Sequence, residues 1–114
     1  VYNEGLNGGS GIDLPQVPAY DHTHAWHLYI IKILAMSRDR FMARLADYNI
    51  GYGLHFPPAP LLKYIKAEYP VKKGLLPETE NAAKKIISLP LYPDMRDEDV
   101  FYVCESIKEI VKNV

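Results

Sequence analysis

The chain of 114 residues holds a single cysteine, Cys104, and a single tryptophan. One thiol closes no intramolecular disulfide, which excludes a disulfide-stapled secreted scaffold and points to a reducing, cytoplasmic compartment. Net charge is equally scarce: 13 basic against 14 acidic residues leave −1. That balance provides no electrostatic footprint for nucleic acid. The longest apolar run, residues 26–36, is interrupted by Lys32 and falls short of the roughly 20 residues a membrane-spanning helix needs. No signal-peptide pattern, internal repeat or low-complexity tract is present. An initiator methionine is also missing, so a chain beginning at Val1 is expected to be processed or cut from a longer protein.

What the chain does contain is ordinary in amount and specific in order. With 48% apolar and 24% charged residues it suits one domain with one core. Residues 1–25 carry Gly5, Gly8, Gly9, Gly11, Pro15 and Pro18 among polar neighbours and read as an irregular lead-in. Aromatic and β-branched residues crowd 26–34, W-H-L-Y-I-I-K-I-L, which predicts a central strand. Ser37 then offers an N-cap, Phe41, Met42, Leu45 and Tyr48 line one helical face, and Asn49 suits a left-handed stop. A second strand is expected over 50–56, closed by Pro57, Pro58 and Pro60.

A short helix over 61–69 is stopped by Pro70, and 71–76 with Gly74 reads as a loop. Pro77 opens another helix, expected to bury Ala82, Ala83, Ile86 and Ile87 and to end near Ser88. L-P-L-Y-P over 89–93 is then extended. The last helix begins at Asp97, Glu98 and Asp99 and continues as a stripe of Val100, Val103, Cys104, Ile107, Ile110 and Val111. The order describes an α+β domain in which helices cover a small sheet.

Chemistry-bearing residues are few. The organising stretch is 50–60, I-G-Y-G-L-H-F-P-P-A-P, where Gly51 and Gly53 permit close approach and His55 sits at a proline-stiffened corner. His55 fits a ligand-facing residue, and equally a partly buried histidine closing a strand. His22, His24 and His27 form H-x-H-x-x-H, but no cysteine or carboxylate stands at a recognisable ligand spacing, and no metal site is assigned. Cys104, on the buried helical face, reads as a packed hydrophobe, because apolar surroundings raise a thiol's pKa. Ser10 in N-G-G-S-G lacks the preceding strand and following helix of a phosphate loop. Lys84, Lys85, Lys108 and Lys112 fall on solvated faces. Residue chemistry alone therefore ends at one histidine corner, without a reaction.

Four ordered blocks carry a resemblance further. H-A-W-H-L-Y-I-I-K-I at 24–33, R-D-R-F-M-A-R-L at 38–45, I-G-Y-G-L-H-F-P at 50–57 and S-L-P-L-Y-P-D-M at 88–95 resemble the C-terminal small domain of the DegT/StrS-type sugar-nucleotide aminotransferases. Residues 2–15 resemble the end of the interdomain helix, and the H-A-W-H-L wording is similar to enzymes that make 4-amino-4-deoxy-L-arabinose on a UDP carrier. The resemblance implies a lead-in at 1–25 and a small domain at 26–114, built on a mostly antiparallel sheet covered by helices.

The family's activity, by implication, moves an amino group from glutamate to a keto-sugar nucleotide with pyridoxal phosphate as cofactor. The large domain of the parent chain, in a homodimer, would supply the cofactor lysine, and no lysine here sits in a recognisable Schiff-base motif. The fragment is thus expected to be inactive alone, with no catalytic or cofactor-binding residue of its own. It would form one wall of the cleft, with His55 and Tyr52 as substrate-binding, orienting residues. Nucleic acid and membrane are not among the implied partners.

Two departures from the family pattern stand out. Pro60 and Leu61 replace a second histidine, and Arg96 stands where a serine or threonine cap is usual, leaving Asp94 or Asp97 to cap the last helix. The rival reading is a stand-alone, non-catalytic α+β module that binds a ligand at the His55 corner. An excised domain should also expose apolar surface near Trp26 and Phe56.

Overall fold

The computed structural model describes residues 1–70, 72 and 74–114. Its elements run α1 (Tyr2–Leu6), β1 (Ile12–Asp13), β2 (Tyr29–Ile33), α2 (Arg38–Asp47), a 3₁₀ turn (Ala59–Leu61), α3 (Lys63–Glu68), α4 (Pro77–Ala83), β3 (Ile86–Leu89) and α5 (Asp97–Lys112). The strands form one antiparallel sheet in the order β1-β2-β3. The α+β expectation therefore holds, with the sheet drawn from different segments than the periodicity suggested.

Strand alternation sorts the sheet into two faces. Tyr29, Ile31 and Ile33 of β2 are buried, and their cross-strand partners Leu89, Ile87 and Ile12 are buried with them. Against this face pack Tyr2 and Leu6 of α1, Phe41 and Leu45 of α2, and Val103, Cys104, Ile107 and Ile110 of α5. The opposite face carries Ile30, Lys32, Asp13, Ile86 and Ser88. It is polar at its β1 edge, where Lys32 Nζ lies 3.9 Å from Asp13 Oδ2.

Three expectations are corrected. The central strand starts at Tyr29, not Trp26: Trp26 takes φ +44, donates its N–H to His24 Nδ1 at 2.9 Å and stacks on the His24 ring 3.9 Å away. Residues 50–56 form no strand; Gly53 alone makes a β-bridge, to Ser88. The helix opened by Pro77 stops at Ala83, and I-I-S-L at 86–89 is a strand instead. Ile86 and Ile87 pair with Lys32 and Ile31 of β2, and β-branched residues fit a pleated surface better than a helix interior.

Other expectations hold. Ser37 caps α2 by accepting the Arg40 N–H at 3.3 Å, and Asn49 ends it at φ +55. The expected loop is seen at 72 and 74–76, while 71 and 73 lie outside the described residues. At α5 the cap is neither Asp94 nor Asp97: Asp99 Oδ2 accepts the Arg96 backbone N–H at 3.3 Å and its side-chain Nε–H at 3.1 Å. The lead-in is less idle than its glycines imply, since Tyr2, Leu6 and Ile12 all enter the core.

Close approach of α1 to α5 depends on Gly5. A β-carbon there would stand 2.6 Å from Cys104 Sγ, well inside contact distance. Burial pushes the Cys104 thiol pKa up, in keeping with a packed hydrophobe. Beside it Tyr2 and Tyr29 stack with ring centroids 4.7 Å apart. Tyr2 donates to Pro90 O at 2.9 Å and Tyr29 donates to Asn3 Oδ1. Burial, with Cys104 as a further contributor, pushes the Tyr29 phenol up to about 12.

Candidate functional site

The opposite face of the sheet leads to the site. β3 presents Ile87 and Leu89 to the core, so Ser88, between them, turns the other way. Beyond β3 the chain at 50–56 runs as an added edge held by two backbone bonds, Gly53 N–H to Ser88 O and Ser88 N–H to Gly53 O, each 2.9 Å. This edge buries Ser88 to 4% exposure although it faces away from the core.

His55 then folds back over Gly53. Its Nδ1 lies 2.8 Å from Ser88 Oγ, and a β-carbon on residue 53 would meet Cε1 at 2.2 Å. Glycine is thus required for the imidazole to occupy this position. Gly51 has nothing within 4 Å of where its β-carbon would be, so close approach belongs to Gly53 alone. Tyr52 points outward and is exposed, as are Leu54 and Phe56, the latter at 82%.

His55, Leu54 and Phe56 form one side of a groove of about 810 Å³, and Ala82, Ala83 and Ile86 contribute to another. Pro57, Pro58 and Pro60 stiffen its rim. Arg38, Lys66, Lys72 and Lys84 give it a positive border, tempered by Glu80. Arg38 also ties the groove's wall together, donating from Nη1 to Ala83 O at the end of α4. Glu80 is engaged as well, accepting the Gly74 N–H at 2.7 Å. The arrangement suits a polar, anionic or hydroxyl-rich ligand lying against an apolar wall.

The structure brings His55 to this groove; Tyr52, three residues before it, does not line it. His22 and His24 belong to a separate aromatic series at the surface: His22 Nδ1 lies 2.7 Å from Tyr20 O, and His24 stacks on Trp26. Among the described residues no group of three or more His, Cys, Asp or Glu side chains is placed to hold a metal ion. The apolar surface expected near Trp26 is only partly covered, since Trp26 is half-buried against the core, while that near Phe56 is exposed.

Sequence reasoning missed two residues of the site. Ser88 looked like the end of a helix, and only its place between buried Ile87 and Leu89 reveals that it faces the groove side. Arg38 entered only as the first residue of the R-D-R-F-M-A-R-L block, with no role of its own. The signal available for Ser88 was period-2 alternation over 86–89, obscured by the helical spacing of Ala82, Ala83, Ile86 and Ile87.

The fold that carries this groove is shared with solved sugar aminotransferases. The chain is 41% identical over 120 aligned residues to the UDP-4-amino-4-deoxy-L-arabinose–oxoglutarate aminotransferase of Shewanella sediminis (strain HAW-EB3), covering 98% of this chain and 31% of that protein. The chain thus spans about a third of that curated relative's length. It superposes on DesV from S. venezuelae, solved in complex with a ketimine intermediate, with TM-score 0.88 and 32% identity over 99% of this chain and 30% of DesV. Spr1654 of Streptococcus pneumoniae, in its PLP form, matches with TM-score 0.73 and 26% identity over 98% of this chain and 29% of that one. No helix among the described residues is long and apolar enough to cross a membrane. With residues 1–108 matching its pattern, the chain belongs to the DegT/DnrJ/EryC1/StrS aminotransferase family.

Proposed function

We propose that this chain is the small-domain part, residues 26–114 with a lead-in at 1–25, of a pyridoxal-phosphate-dependent aminotransferase that moves an amino group from glutamate to a keto-sugar nucleotide in the cytoplasm. The chain forms one wall of the cleft, and the cofactor-bearing domain belongs to the rest of the parent protein. The observation that carries this reading is the His55 ring, folded over Gly53 at the side of the groove. Its support from relatives is the likeness to a sugar-nucleotide aminotransferase over nearly the whole of this chain. A free-standing ligand-binding module is not favoured by a family match that begins at residue 1 and runs to 108.

The residues present do not fit the cofactor by themselves. A lysine that condenses with pyridoxal must shed its proton, which desolvation or a neighbouring cation promotes. The groove's Lys66, Lys72 and Lys84 are all exposed, and its one carboxylate, Glu80, is already bonded to a backbone N–H. No step through the cofactor is therefore assigned to this chain.

In this reading His55 binds and orients from within the groove, and Tyr52, exposed outside its lining, does so from the surface beside it. An imidazole N–H or a phenol O–H directed at a sugar hydroxyl, a phosphate oxygen or the donor's carboxylate fixes the approach of the reacting carbon, and misplacement by about 1 Å costs up to ~10²-fold in rate. In the full-length parent enzyme, His55→Ala should lower kcat/KM by roughly 10- to 10²-fold, and Tyr52→Phe should lower it less. Unchanged kinetics in both variants would remove this assignment.

A further inference from the structure

We infer that Ser88 is a positioning residue that holds His55 as the Nε2–H tautomer, making it a hydrogen-bond donor toward an oxygen acceptor in the groove. This rests on the reading of His55 as substrate-facing. It adds which ring nitrogen is presented, and that the nitrogen donates.

Ser88 is 4% exposed, so its O–H is cut off from bulk water, and a buried hydroxyl without an acceptor costs about 1–3 kcal/mol. Both backbone groups of Ser88 are already committed to Gly53. Among the described residues the one hydrogen-bond partner of Ser88 Oγ is His55 Nδ1, at 2.8 Å. The hydroxyl therefore donates and Nδ1 accepts. A neutral imidazole has one bare nitrogen and one N–H, so the proton must sit on Nε2. The reverse tautomer would have Nδ1–H donate to Oγ and leave the buried hydroxyl hydrogen without an acceptor.

Gly53 keeps the pair in place. The ring lies where a β-carbon would be, and the two Gly53–Ser88 backbone bonds fix the distance between the edge and β3. Nε2 has no protein partner among the described residues, and the side chain lines the groove. An Nε2–H there recognises carbonyl, phosphate, carboxylate or hydroxyl oxygen, and does not accept a proton from substrate.

The test is the ¹⁵N spectrum of the histidine-labelled chain, recorded roughly two units above the ordinary histidine pKa, with His55 resonances identified by their loss in His55→Gln. The expected result is a bare Nδ1 and a fully protonated Nε2 in the native chain, relaxing in Ser88→Ala to the milder Nε2–H preference of an unconstrained histidine, measured on a short histidine peptide. A protonated Nδ1 in the native chain, or a native bias no stronger than the peptide's, overturns the inference even if Ser88→Ala fails to fold. A Ser88→Ala chain whose bias is as complete as the native one overturns it too. Neither outcome depends on whether His55 touches substrate, which the kinetics of the full-length His55→Ala enzyme decide separately.

Discussion

The His55 imidazole fills the space that a side chain on residue 53 would need, with Cε1 2.2 Å from where that β-carbon would stand. Gly53→Ala should therefore expel the ring and break its contact with Ser88. The ring is the movable end of an exposed side chain, so the main cost should be the Ser88 hydroxyl left without its acceptor, about 1–3 kcal/mol. Urea unfolding should show a midpoint lowered by no more than that cost implies while the His55 ¹⁵N signals shift. A large stability loss with unchanged His55 signals would contradict the arrangement.

Gly5 and Cys104 should show a reversal of sign. Alanine is favoured over glycine in a helix by up to about 1 kcal/mol, whereas overpacking a core costs about 1–3 kcal/mol. With Sγ 2.6 Å from the new β-carbon, Gly5→Ala should destabilise the native chain. In a Cys104→Gly background both the sulfur and the Cβ that stands 3.2 Å away are gone, and the same change should become neutral or stabilising. A double-mutant cycle by urea denaturation measures the coupling.

The alkaline limb of stability should carry a tyrosine signature. Burial raises the Tyr29 phenol from its ordinary value of 10.0 to about 12, so the folded state holds its proton where the unfolded chain has released it. Stability tied to this group is thus complete below pH 10 and falls as pH rises toward 12, by about 2–3 kcal/mol at most. Tyr2, also raised by burial, acts in the same direction. Tyr29→Phe should flatten the decline seen in urea midpoints across this window.

Pyridoxal phosphate added to this chain alone should give no visible band that disappears on changing a single lysine. Exposed Lys66, Lys72 and Lys84 should react weakly and interchangeably. A band abolished by one lysine substitution would place the cofactor within these residues and undo the proposed division of labour.

The sequence was most readable where one signal acted alone. Ser37, Asn49 and the α5 stripe each follow from a local rule, and each is found as expected. It was least readable where two periods compete. Ala82, Ala83, Ile86 and Ile87 share a helical face on paper, yet tertiary pairing with β2 converts the second half to strand. Residues 50–56 show the converse: apolar and extended, they make one bridge, because the proline corner leaves little straight chain to pair. At the site, His55 and Gly53 were legible as a histidine near a permissive glycine. Ser88 was not, since its partner is 33 residues away and nothing local marks the contact.

Ser88 sits between Ile87 and Leu89, so one backbone step separates the residue that serves the groove from those that hold the core. A slip of β3 by a single residue would turn the hydroxyl into the apolar core, away from His55, and turn Ile87 to the other face, a costly exchange on both counts. The hydrophobic interior therefore acts as a ruler for the distant groove. Single-residue insertions or deletions within 86–89 should be far less tolerated than point substitutions there. Evolution of new ligand preferences should instead proceed through the strand-free 54–62 rim, whose length is free of that parity.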